Sequence, residues 1–154
     1  MTRISGPRAA ALVAGSAVVV VDQLTKWWAA TVLPGDPIVL IEDFLQLRYL
    51  TNSGAAFSML EGWGSIIALL AIAVAVFIVI VVRSVPHRPE AVALGLVLGG
   101  AIGNLIDRVF RGDGLLDGEV IDFVDFSFFP AFNAADSAIT IGAILALILA
   151  LARE

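Results

Sequence analysis

The chain has 154 residues, 60% of them hydrophobic, with a mean hydropathy of +0.99 and a formal net charge of −5. That apolar fraction exceeds what a soluble domain of this size carries, so residues 1–154 read as a single integral membrane domain. Cysteine is absent, which excludes disulfides, thiolate metal sites and a cysteine nucleophile. The single His87 lies among Arg83, Pro86, Arg88 and Pro89, leaving a histidine triad or zinc site almost nothing to build on.

In chain order, residues 9–33 form the first apolar run, about the ~20 residues a spanning helix needs, closed by Pro34 and Gly35. A cleaved signal peptide is the competing reading, with Arg3 and Arg8 as its basic region and small residues at 14–17. The run continues past Ala17, however, and carries Trp27 and Trp28 at its far end, where interfacial aromatics belong. Residues 34–64 mix β-branched and aromatic side chains, with an approximate alternation at Leu45, Leu47 and Tyr49 and a turn signal at Asn52, Ser53 and Gly54. This predicts a short sheet or hairpin on the membrane surface between the first and second spans.

Residues 65–82 are a charge-free second span, and 83–89 a short basic loop. The third span, 91–109, carries Gly95, Gly99 and Gly103 at four-residue intervals, a stripe that lets another helix approach closely in lipid. Asp107 continues that stripe, so it points into the packed face. The last span is 134–151. With four spans, both termini and the basic loop share one side, and both acidic stretches, 36–61 and 107–136, share the other. The positive-inside rule then puts the termini in the cytoplasm and the acids at the outer face.

Ionisable groups in such a chain are functional candidates, because a charge in or beside a bilayer is usually paired or working. In GEVIDFVDFSFFPAFNAAD, at 118–136, Asp122 and Asp136 are separated by a segment long enough to leave the membrane edge and return. Two carboxylates that converge share a proton, leaving one to activate water and one to protonate a substrate. The same spacing is compatible with a structural or ion-binding role. Asn133 reads as an N-cap with Asp136 in the first helical turn, an arrangement expected to keep Asp136 the more acidic of the pair and leave the proton on Asp122. Asp125, three residues after Asp122, is compatible with a carboxylate that supports the site but reads rather as an exposed interfacial acid, and Arg111, Asp113, Asp117 and Glu119 read as solvated loop charges. Asp22 and Lys26 are spaced for an intrahelical pair that either fixes packing or supports a site. Asn104, Asp107 and Arg108 are spaced to bridge helices.

Five segments in order, VDQLTKWW at 21–28, TNSGAAFS at 51–58, GGAIGNLIDRV at 99–109, VIDF at 120–123 and FNAADSAI at 132–139, resemble the bacterial lipoprotein signal peptidases (signal peptidase II), membrane aspartyl proteases. The resemblance covers nearly the whole chain. It implies Asp122 and Asp136 as catalytic aspartates, with Asn52, Gly54, Asn104, Arg108 and Asn133 lining or bracing the site, and Asp22 and Lys26 supporting it. It also implies four transmembrane helices, an extracytoplasmic β-cradle and a small helical arm, in the cytoplasmic (inner) membrane. Residues 127–131 are short for the connection between the two aspartates. The implied substrate is a diacylglyceryl-modified prolipoprotein, cut N-terminal to its lipidated cysteine, with membrane lipid as the surroundings. No cofactor, metal, nucleic acid or obligate protein partner is implied. The competing readings are a Mg²⁺-dependent membrane phosphotransferase or phosphatase holding its ion on Asp107, Asp122, Asp125 and Asp136, and a small transporter built on Asp22, Lys26 and Asp107.

Overall fold

The structure, a computed structural model, describes residues 6–54 and 64–152. Among the described residues four helices are long and apolar enough to cross a membrane: α1 (Gly6–Val32), α2 (Gly64–Val81), α3 (Arg88–Phe110) and α4 (Ala134–Leu151). They fall on the expected spans. α3 begins earlier than residue 91 because Pro89 sits in its first turn, where the missing N–H has no partner to lose. His87, read as part of a loop, is the capping residue there.

α3 is the central helix and packs against the other three. Its glycine stripe makes this possible. A Cβ on Gly95 would lie 2.5 Å from the Ala11 carbonyl oxygen, and one on Gly99 2.5 Å from that of Gly15, so α1 and α3 meet backbone to backbone. Gly142 provides the same closeness between α4 and α3, at the Ala93 carbonyl. In lipid such contact is favoured by dispersion, since hydrophobic burial gives no advantage over lipid tails. The outward faces carry large apolar side chains such as Leu24, Leu70, Phe77 and Leu147.

The expected sheet is present, but only half of it comes from the connection after α1. β1 (Ile38–Ile41) and β2 (Leu45–Asn52) form the predicted hairpin, and β3 (Val120–Phe126) with β4 (Phe129–Phe132) completes one antiparallel sheet in the order β1-β2-β3-β4. The second half escaped a periodicity reading because β3 is covered on both faces and therefore lacks the alternation of a half-exposed strand. Ile121 and Phe123 pack on Ala29, Leu33 and Trp28 of the α1 end, Trp28 edge-on to Phe123 at 6.4 Å. Of the two tryptophans read as interfacial, Trp27 alone is well exposed. The short 127–131 segment is a tight turn, with the Ser127 N–H donating to the Phe44 carbonyl, running into β4.

The implied helical arm has no counterpart among the described elements, and Ala55 to Ser58 of the TNSGAAFS segment lie outside the described residues. Because α1 and α3 touch through glycine, Gly99→Val is expected to destabilise the protein by about 1–3 kcal/mol through overpacking. Leu70→Ala, at a lipid-facing position, should change stability by less than about 0.5 kcal/mol. Thermal unfolding in detergent micelles distinguishes the two.

Candidate active site

α4 starts at the site, and its cap builds it. The Asn133 side chain accepts from the Asp136 N–H at 3.0 Å, and the Asp136 carboxylate accepts from the Asn133 N–H at 3.2 Å, a reciprocal capping box. This holds Asn133 with its oxygen toward the helix, so its amide nitrogen is left to donate to Asp122 Oδ1 at 2.7 Å. One asparagine thus connects the carboxylates of β3 and α4.

Each remaining carboxylate oxygen also has a fixed donor. Asn52, at the end of β2, donates to Asp122 Oδ2 at 3.0 Å, and its own oxygen accepts from the Gly54 N–H at 3.0 Å. Asn104, on α3, donates to Asp136 Oδ1 at 2.8 Å, and its oxygen accepts from the Lys26 ammonium at 2.8 Å. An ammonium and a backbone N–H are donors only, so all three amides are held with nitrogen toward carboxylate.

Behind this layer lies a buried ion cluster. Lys26 Nζ is 2.9 Å from both Asp22 Oδ2 and Asp107 Oδ2, all three side chains being fully buried. Asp107 also accepts from the Ile121 N–H at 3.3 Å, and Asp22 from the Ala135 N–H at 2.9 Å. Ile121 immediately precedes Asp122, and Ala135 immediately precedes Asp136. One lysine therefore ties together the two acids that position the backbone beside each site carboxylate. Gln23, not singled out from the sequence, donates to Asp22 at 3.1 Å and to the Gly103 carbonyl at 3.1 Å. Its signal was a second polar residue beside Asp22 in an apolar span.

Arg108 is buried and clamps the sheet to α3, donating to the Gly54 carbonyl at 2.7 Å and the Gly118 carbonyl at 3.3 Å. One expectation is extended and one corrected. Arg111 is exposed as expected, and its Nε also lies 2.9 Å from Asp107 Oδ1. Asp125 is not an exposed acid, because the sheet register sets it opposite Gln46, where it accepts from Gln46 at 2.7 Å and pairs with Arg48 at 2.8 Å. Asp117 organises its loop by accepting from the Gly114 N–H.

Asp122 and Asp136 open into one cavity of about 800 Å³ between α2, α3, α4 and the sheet. Its walls are mainly apolar, with Ile67, Val97 and Phe132 among them, and its polar edge includes Asn52, Asn104 and Arg108. Burial pushes the Asp122 carboxyl up to about 6, against the Asn52 hydrogen bond; the nearby Asp136 adds to the rise, while Asn133 and the Lys26 charge oppose it. A carboxyl poised there changes protonation near neutrality, as proton transfer requires. Asp107 and Asp125 are engaged elsewhere, and among the described residues no three acid, histidine or cysteine side chains group to hold a metal ion.

Four spanning helices, with two carboxylates meeting in an apolar cavity beneath a sheet, define a multi-pass membrane protein with an acid-pair site. A family model described as signal peptidase (SPase) II matches residues 15–152, and the chain belongs to that family. It is 47% identical over 135 residues to a lipoprotein signal peptidase of Rhodococcus jostii (strain RHA1), covering 87% of this chain and 68% of that protein. It is 42% identical over 135 residues to that of Mycobacterium avium (strain 104), covering 87% of this chain and 74% of that protein. A solved structure described as a bacterial membrane enzyme superposes with a TM-score of 0.79 at 35% identity, covering 92% of this chain and 87% of that one. The chain is accordingly a membrane protease, and nothing in these comparisons supports the phosphotransferase or transporter readings.

Lys26→Met would leave Asp22 and Asp107 buried without their shared cation. The expected loss of stability is about 3–5 kcal/mol, read from thermal unfolding in detergent.

Proposed function

We propose that the protein hydrolyses the peptide bond N-terminal to the diacylglyceryl-modified cysteine of a prolipoprotein, with Asp122 and Asp136 as the catalytic pair. The observation that carries this is the Asn133 link: two carboxylates from separate elements, each with both oxygens held by N–H donors, facing one largely apolar cavity. An apolar cavity open between helices suits a signal peptide and acyl chains that remain in the bilayer, and it excludes bulk water from the reacting groups.

In this reading Asp136 is ionised, favoured by the positive end of α4, and Asp122 carries the proton. A water between them loses a proton to Asp136 as its oxygen adds to the scissile carbonyl carbon. Asp122 delivers its proton to the carbonyl oxygen. Collapse of the tetrahedral diol then breaks the C–N bond: the proton taken up by Asp136 passes to the leaving cysteine nitrogen, and one diol hydroxyl returns its proton to Asp122 as the new carboxyl group forms. No covalent enzyme intermediate forms. Asn52, Asn104 and Asn133 keep the carboxylates aligned, Gly54 and Arg108 hold the sheet edge against α3, and Asp22 and Lys26 anchor the layer behind them.

The basic loop around Arg83 and Arg88 and the basic N-terminal residues favour both termini in the cytoplasm, with the sheet and the aspartates at the outer face of the inner membrane. A substrate tethered by its lipid presents its cleavage site at that depth.

Asp122→Asn and Asp136→Asn are each expected to lower kcat on a diacylglyceryl-modified prolipoprotein by at least about 10²-fold, with the variants still inserted and folded. Full activity in either variant would sink the assignment. Because Asp122 must hold its proton, kcat/KM is expected to fall about tenfold per pH unit as pH rises beyond about 6. Removing the neighbouring charge in Asp136→Asn should lower the pH at which the Asp122 carboxyl band disappears in infrared titration.

A further inference from the structure

A second cavity, of about 740 Å³, lies along the sheet and shares Asn52, Gly54, Asp122 and the residues 129–131 with the first. Its character is different. Gln46, Arg48, Thr51, Asp125 and Ser127 line it, giving a polar trough that meets the apolar cavity at Asp122. A substrate cut at Asp122 is divided in the same way. The signal peptide and the acyl chains are apolar and match the first cavity, whereas the chain after the cysteine leaves the membrane and needs polar partners.

The charges in this trough are unequally accessible. Asp125 is largely buried, its Oδ2 taken by Gln46 and Arg48, whereas the Arg48 side chain is 45% exposed. Arg48 uses Nε for that pair, and its two terminal nitrogens carry no hydrogen bond among the described residues. The accessible charge of the pair is therefore positive, with Asp125 holding the guanidinium in place.

Register gives the distance. Asp122 pairs with Leu50 and Asp125 with Gln46, a backbone rise of three residues, about 10 Å, along β3, and Asp122, Asp125 and Arg48 all line this one cavity. An extended peptide covers that in about three residues. We infer that the Arg48–Asp125 pair forms a subsite for the second to fourth residues after the lipidated cysteine and favours acidic side chains there over basic ones. The inference rests on the endopeptidase reading of the Asp122–Asp136 site.

The test uses the purified full-length protein and three synthetic diacylglyceryl-modified substrates with one signal peptide, differing only by Asp, Ser or Lys at the third residue after the cysteine. For an exposed ion pair the wild type is expected to cleave the Asp substrate with a kcat/KM about two- to fivefold above the Lys substrate, a ratio that shrinks as salt is raised. Arg48→Gln should bring the ratio to about one, and Asp125→Asn, which removes the opposing charge, should widen it. Equal rates for the Asp and Lys substrates in the wild type, or a ratio unchanged in Arg48→Gln, would overturn the subsite. If Arg48→Gln fails to fold, the wild-type ratio and its salt dependence decide alone. Failure of the wild type to cleave any of the three would instead overturn the endopeptidase reading.

Discussion

The Lys26 ammonium, within 2.9 Å of Asp22 and Asp107 in a fully buried setting, is the interaction on which the rest of the structure depends. Two carboxylates taken out of water without a cation would neutralise or drive the helices apart. Once paired, they have lone pairs to spare for backbone N–H groups on other elements. Asp107 uses one on β3 beside Asp122, and Asp22 uses one on α4 beside Asp136. The same ammonium fixes the Asn104 amide, whose nitrogen then faces Asp136. A single cation thus connects α1, α3, the sheet and α4 at the level where the two carboxylates meet.

This arrangement accounts for how acids serve as chemical groups beside a bilayer. In the proposed reaction Asp122 and Asp136 need to be dry enough for proton exchange near neutrality, yet held against rotation and repulsion. Burial raises the Asp122 carboxyl, the Asn52 and Asn133 donors limit that rise, and N–H donors on all four oxygens of the pair fix the geometry. The amides are themselves held by an ammonium and backbone N–H groups, which can only donate. Preorganisation here comes from hydrogen-bond direction, which a low-dielectric cavity strengthens.

Helix packing serves the same site. The Gly95 and Gly99 contacts bring α3 against α1, which lets Lys26 on α1 reach Asn104 and Asp107 on α3. A Cβ on Gly103 would meet Asp22 Oδ2, so the stripe ends at the ion cluster it makes room for. The sheet then closes over that level, fastened by Arg108 to the carbonyls of Gly54 and Gly118.

By itself the sequence determined what depends on local composition and spacing. Apolar runs set the four helices, the four-residue glycine interval marked the close face of α3, and Asn133 three positions before Asp136 specified the cap of α4. Acids in an apolar chain singled out Asp122 and Asp136, because such charges are rarely idle. Only the tertiary structure decided what depends on partners distant in the chain. Half of the sheet was hidden because β3 is buried on both faces and shows no alternation. Asp125 looked exposed because Gln46 and Arg48 reach it only through the β2–β3 register. The division of Lys26 between two acids, and with it the direction of the Asn104 amide, follow from contacts between residues about 80 positions apart, which no local pattern encodes.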